Sequence, residues 1–185
     1  DELTGEHIQR VNQYSGFIAE KLGLSSRLIQ EIFASAQMHD IGKVHIHPDI
    51  IQKPGKLTDE EWRLMRMHPA YGAKILGKSE FMRVARNICL YHHENSDGSG
   101  YPQGLTNKEI PIEARVVHLA DVYDSLRSPR SYKPAFDHQK TVSIILDGDG
   151  RTSPAHFDPD IIEIFKTHHR RFDEIYKSLT EVESE

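Results

Sequence analysis

The sequence predicts an all-α fold in a single compact helical domain. Three observations carry that expectation. Apolar residues recur at helical spacing along nearly the whole chain. Ser, Thr and Asp stand in front of the periodic stretches, where helix caps belong. The length of 185 residues suits one core, and no convincing strand, repeat, low-complexity tract or interdomain linker interrupts it.

Each element follows in order. His7, Val11, Tyr14, Ile18 and Leu22 share a face, with Leu3 one turn earlier, and Gly23 closes that helix. Ser25 or Ser26 caps a second helix, which carries Ile29, Ile32, Phe33 and Ala36 into His39-Asp40 before Gly42 loosens the chain. Residues 45–55, with Pro48 and Pro54, are expected to be irregular. Thr58 and Glu61 form a capping box in front of Trp62, opening a helix toward His68. A further helix follows Pro69 through Ile75. The next puts Phe81, Val84, Ala85, Ile88 and His92 on one face. A loop holding Gly98, Gly100, Pro102, Gly104 and Pro111 leads to a helix over residues 112–126, with Val117, Asp121 and Asp124. A basic loop and a short helix over residues 139–146 come next. Asp158 caps the last helix, with Ile162, Phe165, His169, Phe172 and Tyr176 on one side.

Composition excludes several classes of function. A formal charge of −5 gives no general attraction for DNA or an anionic membrane, and no apolar run is long enough to cross a bilayer. Cys89 is the only cysteine, so no intrachain disulfide can form, and the cytoplasm is the expected compartment. The chain starts without methionine inside an expected helix. It is therefore expected to be a piece, residues 1–185, of a longer protein with an upstream domain.

Histidine is the unusual residue, at 12 copies. His7, His39-Asp40, His68, His92-His93 and Asp121 all lie on or beside apolar helical stripes. Each alone reads best as a packed histidine or a solvated carboxylate. Five such places in one small chain read differently, because ionisable groups are costly to bury unless paired or metal-bound. Imidazole with carboxylate and no thiolate suits Fe, Mn, Zn or Ni. Seven donors are too many for one ion with open positions and suit two, with the two oxygens of Asp40 as the bridge. His168-His169 is assigned to structure and Cys89 to the core. His45 and His47 are expected to face solvent, and His118, His138 and His156 have no partner that can be named.

The stretch HDIGK at residues 39–43 resembles the motif of the HD superfamily of metal-dependent phosphohydrolases. HHENSDGSGYPQGL, from His92, resembles the defining motif of its HD-GYP branch. KPGKL, the isolated His68, LAD at residues 119–121 and HFDP at residues 156–159 match that branch too, so the likeness runs from about Thr4 to Phe165. The resemblance implies an enzyme: a phosphodiesterase that opens cyclic di-GMP, a bacterial second messenger. It implies two divalent transition-metal ions, Fe or Mn, one on His7, His39, Asp40 and Asp121 and the other on Asp40, His68, His92 and His93. It implies that Lys43, Arg130 and Lys133 contact substrate phosphate, with Gly100, Tyr101 and Pro102 beside the substrate and a protein partner able to use the same GYP loop.

Two departures from the family pattern stand out. Leu3 occupies the position of a glutamate that gives some members a third metal, so two ions and mainly pGpG as product are expected. The usual RPYK is Arg130-Ser131-Tyr132-Lys133, which keeps both cations. Two ions sharing a water lower its pKa enough to give hydroxide at neutral pH. The rival readings are another HD-type nucleotide phosphohydrolase, against which the GYP loop speaks, and a catalytically weak module that binds a cyclic dinucleotide or a partner.

Overall fold

The computed structural model describes residues 5–129 and 135–180. Leu3, Arg130 and Lys133 lie outside the described residues. The described chain forms α1 (Gly5–Lys21), α2 (Ser26–Ser35), α3 (Pro48–Ile51), α4 (Asp59–Met65), α5 (His68–Leu76), α6 (Arg83–Tyr91), α7 (Ile112–Arg127), α8 (His138–Asp147) and α9 (Pro159–Thr180). Among these residues there is no β-strand, only an isolated bridge between Asp97 and Thr106. No described helix is long and apolar enough to cross a membrane.

Helix α1 runs through the middle and packs on α2, α7 and α9. Its stripe of Val11, Tyr14 and Ile18 is fully buried, as the spacing predicts. Gly23, at φ +69°, ends it in the left-handed region that glycine enters without strain. Tyr14 stacks on Phe172 of α9 at 5.2 Å and meets Tyr123 of α7 edge-on, and Phe165 closes the cluster. Burying each such side chain is worth about 1.5–3 kcal/mol, so these rings dominate the core. Asp158 caps α9 by accepting from the Asp160 and Ile161 amides. The buried stripe of α9 is Ile161, Phe165, Phe172 and Ile175, one position away from the expected Ile162 and Tyr176. Tyr176 instead lies under the Arg127 guanidinium and donates to the Arg127 carbonyl.

Caps hold where the sequence places them. The Ser25 hydroxyl accepts from Leu28, and Thr58 and Glu61 form both halves of their capping box. Two further expectations fail. Residues 45–55 are not wholly irregular: Pro48, with its preset φ, starts the short α3 behind a His47 cap. Phe81 is 93% exposed, because it sits in a 3-10 turn (Glu80–Met82) ahead of α6 and out of register with that helix's buried face.

The segment between α2 and α3 positions the site. Here the chain tightens into two 3-10 turns, Ala36–Met38 and Ile41–His45, with His39 and Asp40 between them. A tighter helix changes the direction of successive side chains, so both residues can face one centre. Gly42 lets that second turn touch α5: a Cβ there would run into the His68 carbonyl and the Gly72 amide. The Gly42–Gly72 contact thus brings Asp40 against His68.

Candidate metal centre

All seven predicted donors meet, in two adjacent groups. Asp40, His68, His92 and His93 form one, and His7, His39 and Asp121 the other; within each group one ligand atom per residue lies within 4.8 Å of the rest. Asp40 stands between them. Its Oδ1 is 3.2 Å from His68 Nε2 and 3.7 Å from His92 Nε2. Its Oδ2 is 3.4 Å from His39 Nε2 and 2.7 Å from Lys43 Nζ. Asp121 Oδ1 lies 3.8 Å from His39 Nε2 and 3.9 Å from His7 Nε2.

The backbone fixes the tautomers. His39 Nδ1 faces the Ala36 carbonyl at 2.7 Å, His68 Nδ1 the Met65 carbonyl at 2.7 Å, and His92 Nδ1 the Cys89 carbonyl at 3.0 Å. A carbonyl can only accept, so each Nδ1 carries a proton and the neutral form of each ring keeps its lone pair on Nε2. In His7 a carboxylate does the same work: Nδ1 donates to Asp124 at 2.8 Å, and Arg10 holds Asp124 in turn at 2.6 Å and 3.1 Å. Imidazoles anchored at one nitrogen to a carbonyl or carboxylate, with the other aimed inward, are the usual surroundings of a metal ion.

The donors fit a cation on that geometry. His68 Nε2 and His92 Nε2 face each other at 3.5 Å, and with Nδ1 of each ring on a carbonyl, neutral imidazoles have no proton to share between them. His39 Nε2 and Asp40 Oδ1 are buried without a hydrogen-bond partner. Such groups are costly to leave unpaired. A transition ion at about 2.0–2.2 Å from each would satisfy them.

Charge is poised the same way. Burial opposes ionisation of Asp40, but His39 and Lys43 outweigh it and hold the carboxyl well below its ordinary range. Burial likewise disfavours a charged Asp121, yet His39 and His7 keep it low. Burial drives His93 well below an ordinary histidine, helped by His92 and His68, and lowers His92 too, so these two stay neutral. His39 is the exception: despite burial, Asp40 and Asp121 push it up to about 9.

The loop after His93 folds back over the centre. Tyr101 stacks on the His93 ring at 4.7 Å, and its amide donates to the His93 carbonyl. A Cβ on Gly100 would strike the Asn95 amide and the His93 carbonyl, so only glycine allows this approach. Pro102 is exposed. Beside the loop lies a cleft of about 300 Å³ lined by Arg66, His93, Gly100, Tyr101 and Arg151 among others.

Several contributors escape sequence reasoning. Buried Glu94 accepts from the Gln103 and Leu105 amides and clamps the loop. Asp124 was visible on its helix, but Arg10 and His7 lie 114 and 117 residues away. His118, for which no partner could be named, is bonded to the His92 carbonyl, and His138 bridges Tyr123 and His169. His45 is exposed, as expected, with its ring edge-on to Tyr71. His169 belongs to that structural pair, as expected, and Cys89 is wholly buried.

A helical domain whose centre is built from histidine and aspartate on five separate segments defines a class of protein. The HD domain model matches residues 1–161, and the chain belongs to that family, carrying the HHENSDGSGYP motif of its HD-GYP branch. It is 43% identical to a cyclic di-GMP phosphodiesterase of Vibrio cholerae, over 93% of this chain and 37% of that protein. It is 39% identical to the 3′3′-cGAMP-specific phosphodiesterase 2 of the same organism, over 95% of this chain and 33% of that protein. Among solved structures, a cyclic GMP-AMP specific phosphodiesterase of V. cholerae aligns with TM-score 0.65 at 18% identity, covering 94% of this chain and 48% of that one, which shows the shared fold. The chain thus spans about a third of the length of these two curated relatives.

Proposed function

We propose that the chain is the catalytic domain of a metal-dependent phosphodiesterase that hydrolyses cyclic di-GMP, mainly to linear pGpG. The observation that carries this reading is Asp40: its two oxygens face two groups of histidine donors, each presenting Nε2 toward the carboxylate. The names of the relatives support the substrate class, and both cyclic di-GMP and 3′3′-cGAMP occur among them.

His7, His39, Asp40 and Asp121 would hold one divalent ion, and Asp40, His68, His92 and His93 the other, with Fe or Mn favoured by mixed imidazole–carboxylate donors. When bound, two such ions supply Lewis-acid charge and a water activated at neutral pH. Hydrolysis adds the water oxygen to phosphorus, breaks the bond to the 3′ oxygen and leaves a proton there. Lys43, whose Nζ already lies at the centre, would offset charge on a phosphate oxygen. Arg130 and Lys133 are proposed to do so from their segment. Tyr101 packs over His93 and would border the substrate, with Gly100 and Pro102 shaping that edge and an exposed rim left for a protein partner. Leu3 offers no lone pair, so no third ion is proposed. An upstream domain and a cytoplasmic setting complete the reading.

The test is turnover of cyclic di-GMP by protein loaded with Mn²⁺ or Fe²⁺, with products separated by chromatography. Accumulating pGpG supports the proposal. Binding of the dinucleotide without turnover by fully loaded protein would favour a weak binding module instead.

A further inference from the structure

His118 lies outside the donor set, yet its place in the fold is particular. It sits on α7 one turn before Asp121 and is 8% exposed. Its Nδ1 is 2.8 Å from the carbonyl oxygen of His92. The oxygen can only accept, so Nδ1 bears the proton; Nε2 is buried and makes no hydrogen bond. The ring rests against Phe157, with centroids 5.0 Å apart.

The carbonyl it holds matters. Helix α6 ends at Tyr91 and His92 is its C-cap, so the last carbonyls have no partner within the helix. The His92 carbonyl belongs to the peptide that joins His92 to His93. That peptide is planar, so holding its oxygen holds the orientation of the unit from which both imidazoles branch. Neighbouring residues of a helix point about 100° apart, so two adjacent histidines converge only if this unit is held. The same bond also ties the end of α6 to the turn of α7 that bears Asp121.

We propose that His118 is a positioning residue. By donating to the His92 carbonyl it sets the His92–His93 peptide so that both rings reach one cation. The proposal rests on the metal centre described above and adds a residue that binds neither ion nor substrate.

Two substitutions separate this role from simple packing. In His118→Asn the side-chain amide N–H stands where Nδ1 was, keeping the donor while losing the ring. In His118→Leu bulk remains and the donor goes. The measurement is competition for Mn²⁺ between each intact protein and a chelator, with circular dichroism and the melting midpoint of the metal-free forms as the check on folding. His118→Leu is expected to lose about 10-fold or more in Mn²⁺ affinity, the usual scale for an outer partner of a ligand. His118→Asn is expected to stay within about 3-fold of wild type, well short of that scale. Equal losses in the two variants, or wild-type affinity in a folded His118→Leu, would overturn the role of His118. Should His118→Leu not fold, a 10-fold loss in His118→Asn would overturn it alone, and its retention of Mn²⁺ would support it. A wild type that holds no Mn²⁺ would overturn the metal centre itself, and this proposal with it.

Discussion

Asp40 shows how one residue can be legible in sequence and still gain meaning from structure. Its two oxygens make it the natural bridge, and they do face different histidine groups. Asp40→Ala should remove both interactions, abolish turnover and release most bound metal, whereas His169→Ala should keep the metal. His169 meets His138 at 2.9 Å and the Phe165 ring, away from the metal donors, and loss of its hydrogen bond should cost about 1 kcal/mol, the net worth of an ordinary one. Elemental analysis of the two purified variants checks this; equal metal loss would show the histidines were wrongly sorted. The donors were readable because His and Asp are conspicuous on apolar stripes. Arg10, Asp124 and His118 were not, because their roles depend on partners brought close only by folding. Cys89 carries another residue-scale expectation. Burial, aided by the Asp40 charge, pushes its thiol up to about 12, and its Sγ rests 2.8 Å from the Met38 carbonyl. Iodoacetamide at pH 8 should therefore label it only after unfolding. Rapid labelling of native protein would contradict the packing of α6 against the turn Ala36–Met38.

Among the elements, the contact between the turn Ile41–His45 and α5 sets the geometry of the centre. The sequence suggested that Gly42 loosened the chain. The structure gives it a steric task as well, since any Cβ would meet backbone atoms of His68 and Gly72 that cannot rotate away. Gly42→Ala should separate the turn from α5 and pull Asp40 from His68. Overpacking of this kind costs about 1–3 kcal/mol and more where backbone must move. Thermal melting should show that loss, and metal affinity should fall with it. A variant with an unchanged midpoint and unchanged metal content would mean that the glycine is only tolerated there. Cap residues made helix starts readable, because a cap bond is local in sequence. The register of Phe81 and of the α9 stripe was less readable, because the face a helix buries depends on what it packs against.

At the scale of the whole molecule, the donors come from α1, the turns after α2, the start of α5, the end of α6 and the middle of α7. Cations at the centre would therefore cross-link segments spread from residue 7 to residue 121. Without them, the Nε2 atoms of His68 and His92 face one another at 3.5 Å, and His39 Nε2 and Asp40 Oδ1 are buried without a hydrogen-bond partner. Stability should then depend on metal more strongly than for an ion held by one loop. An ion at 100 times its dissociation constant stabilises the native state by about 2.7 kcal/mol. For a domain of this size that is about 5–10 °C in melting midpoint. Chelation followed by dialysis should lower the midpoint by that much or more, and Mn²⁺ should restore it, while Ca²⁺, which prefers oxygen donors, should not. A midpoint that ignores chelation would mean that the histidines are satisfied without an ion, and the two-ion reading would fall. Restoration by Ca²⁺ equal to that by Mn²⁺ would place the binding on carboxylates alone and away from the imidazoles.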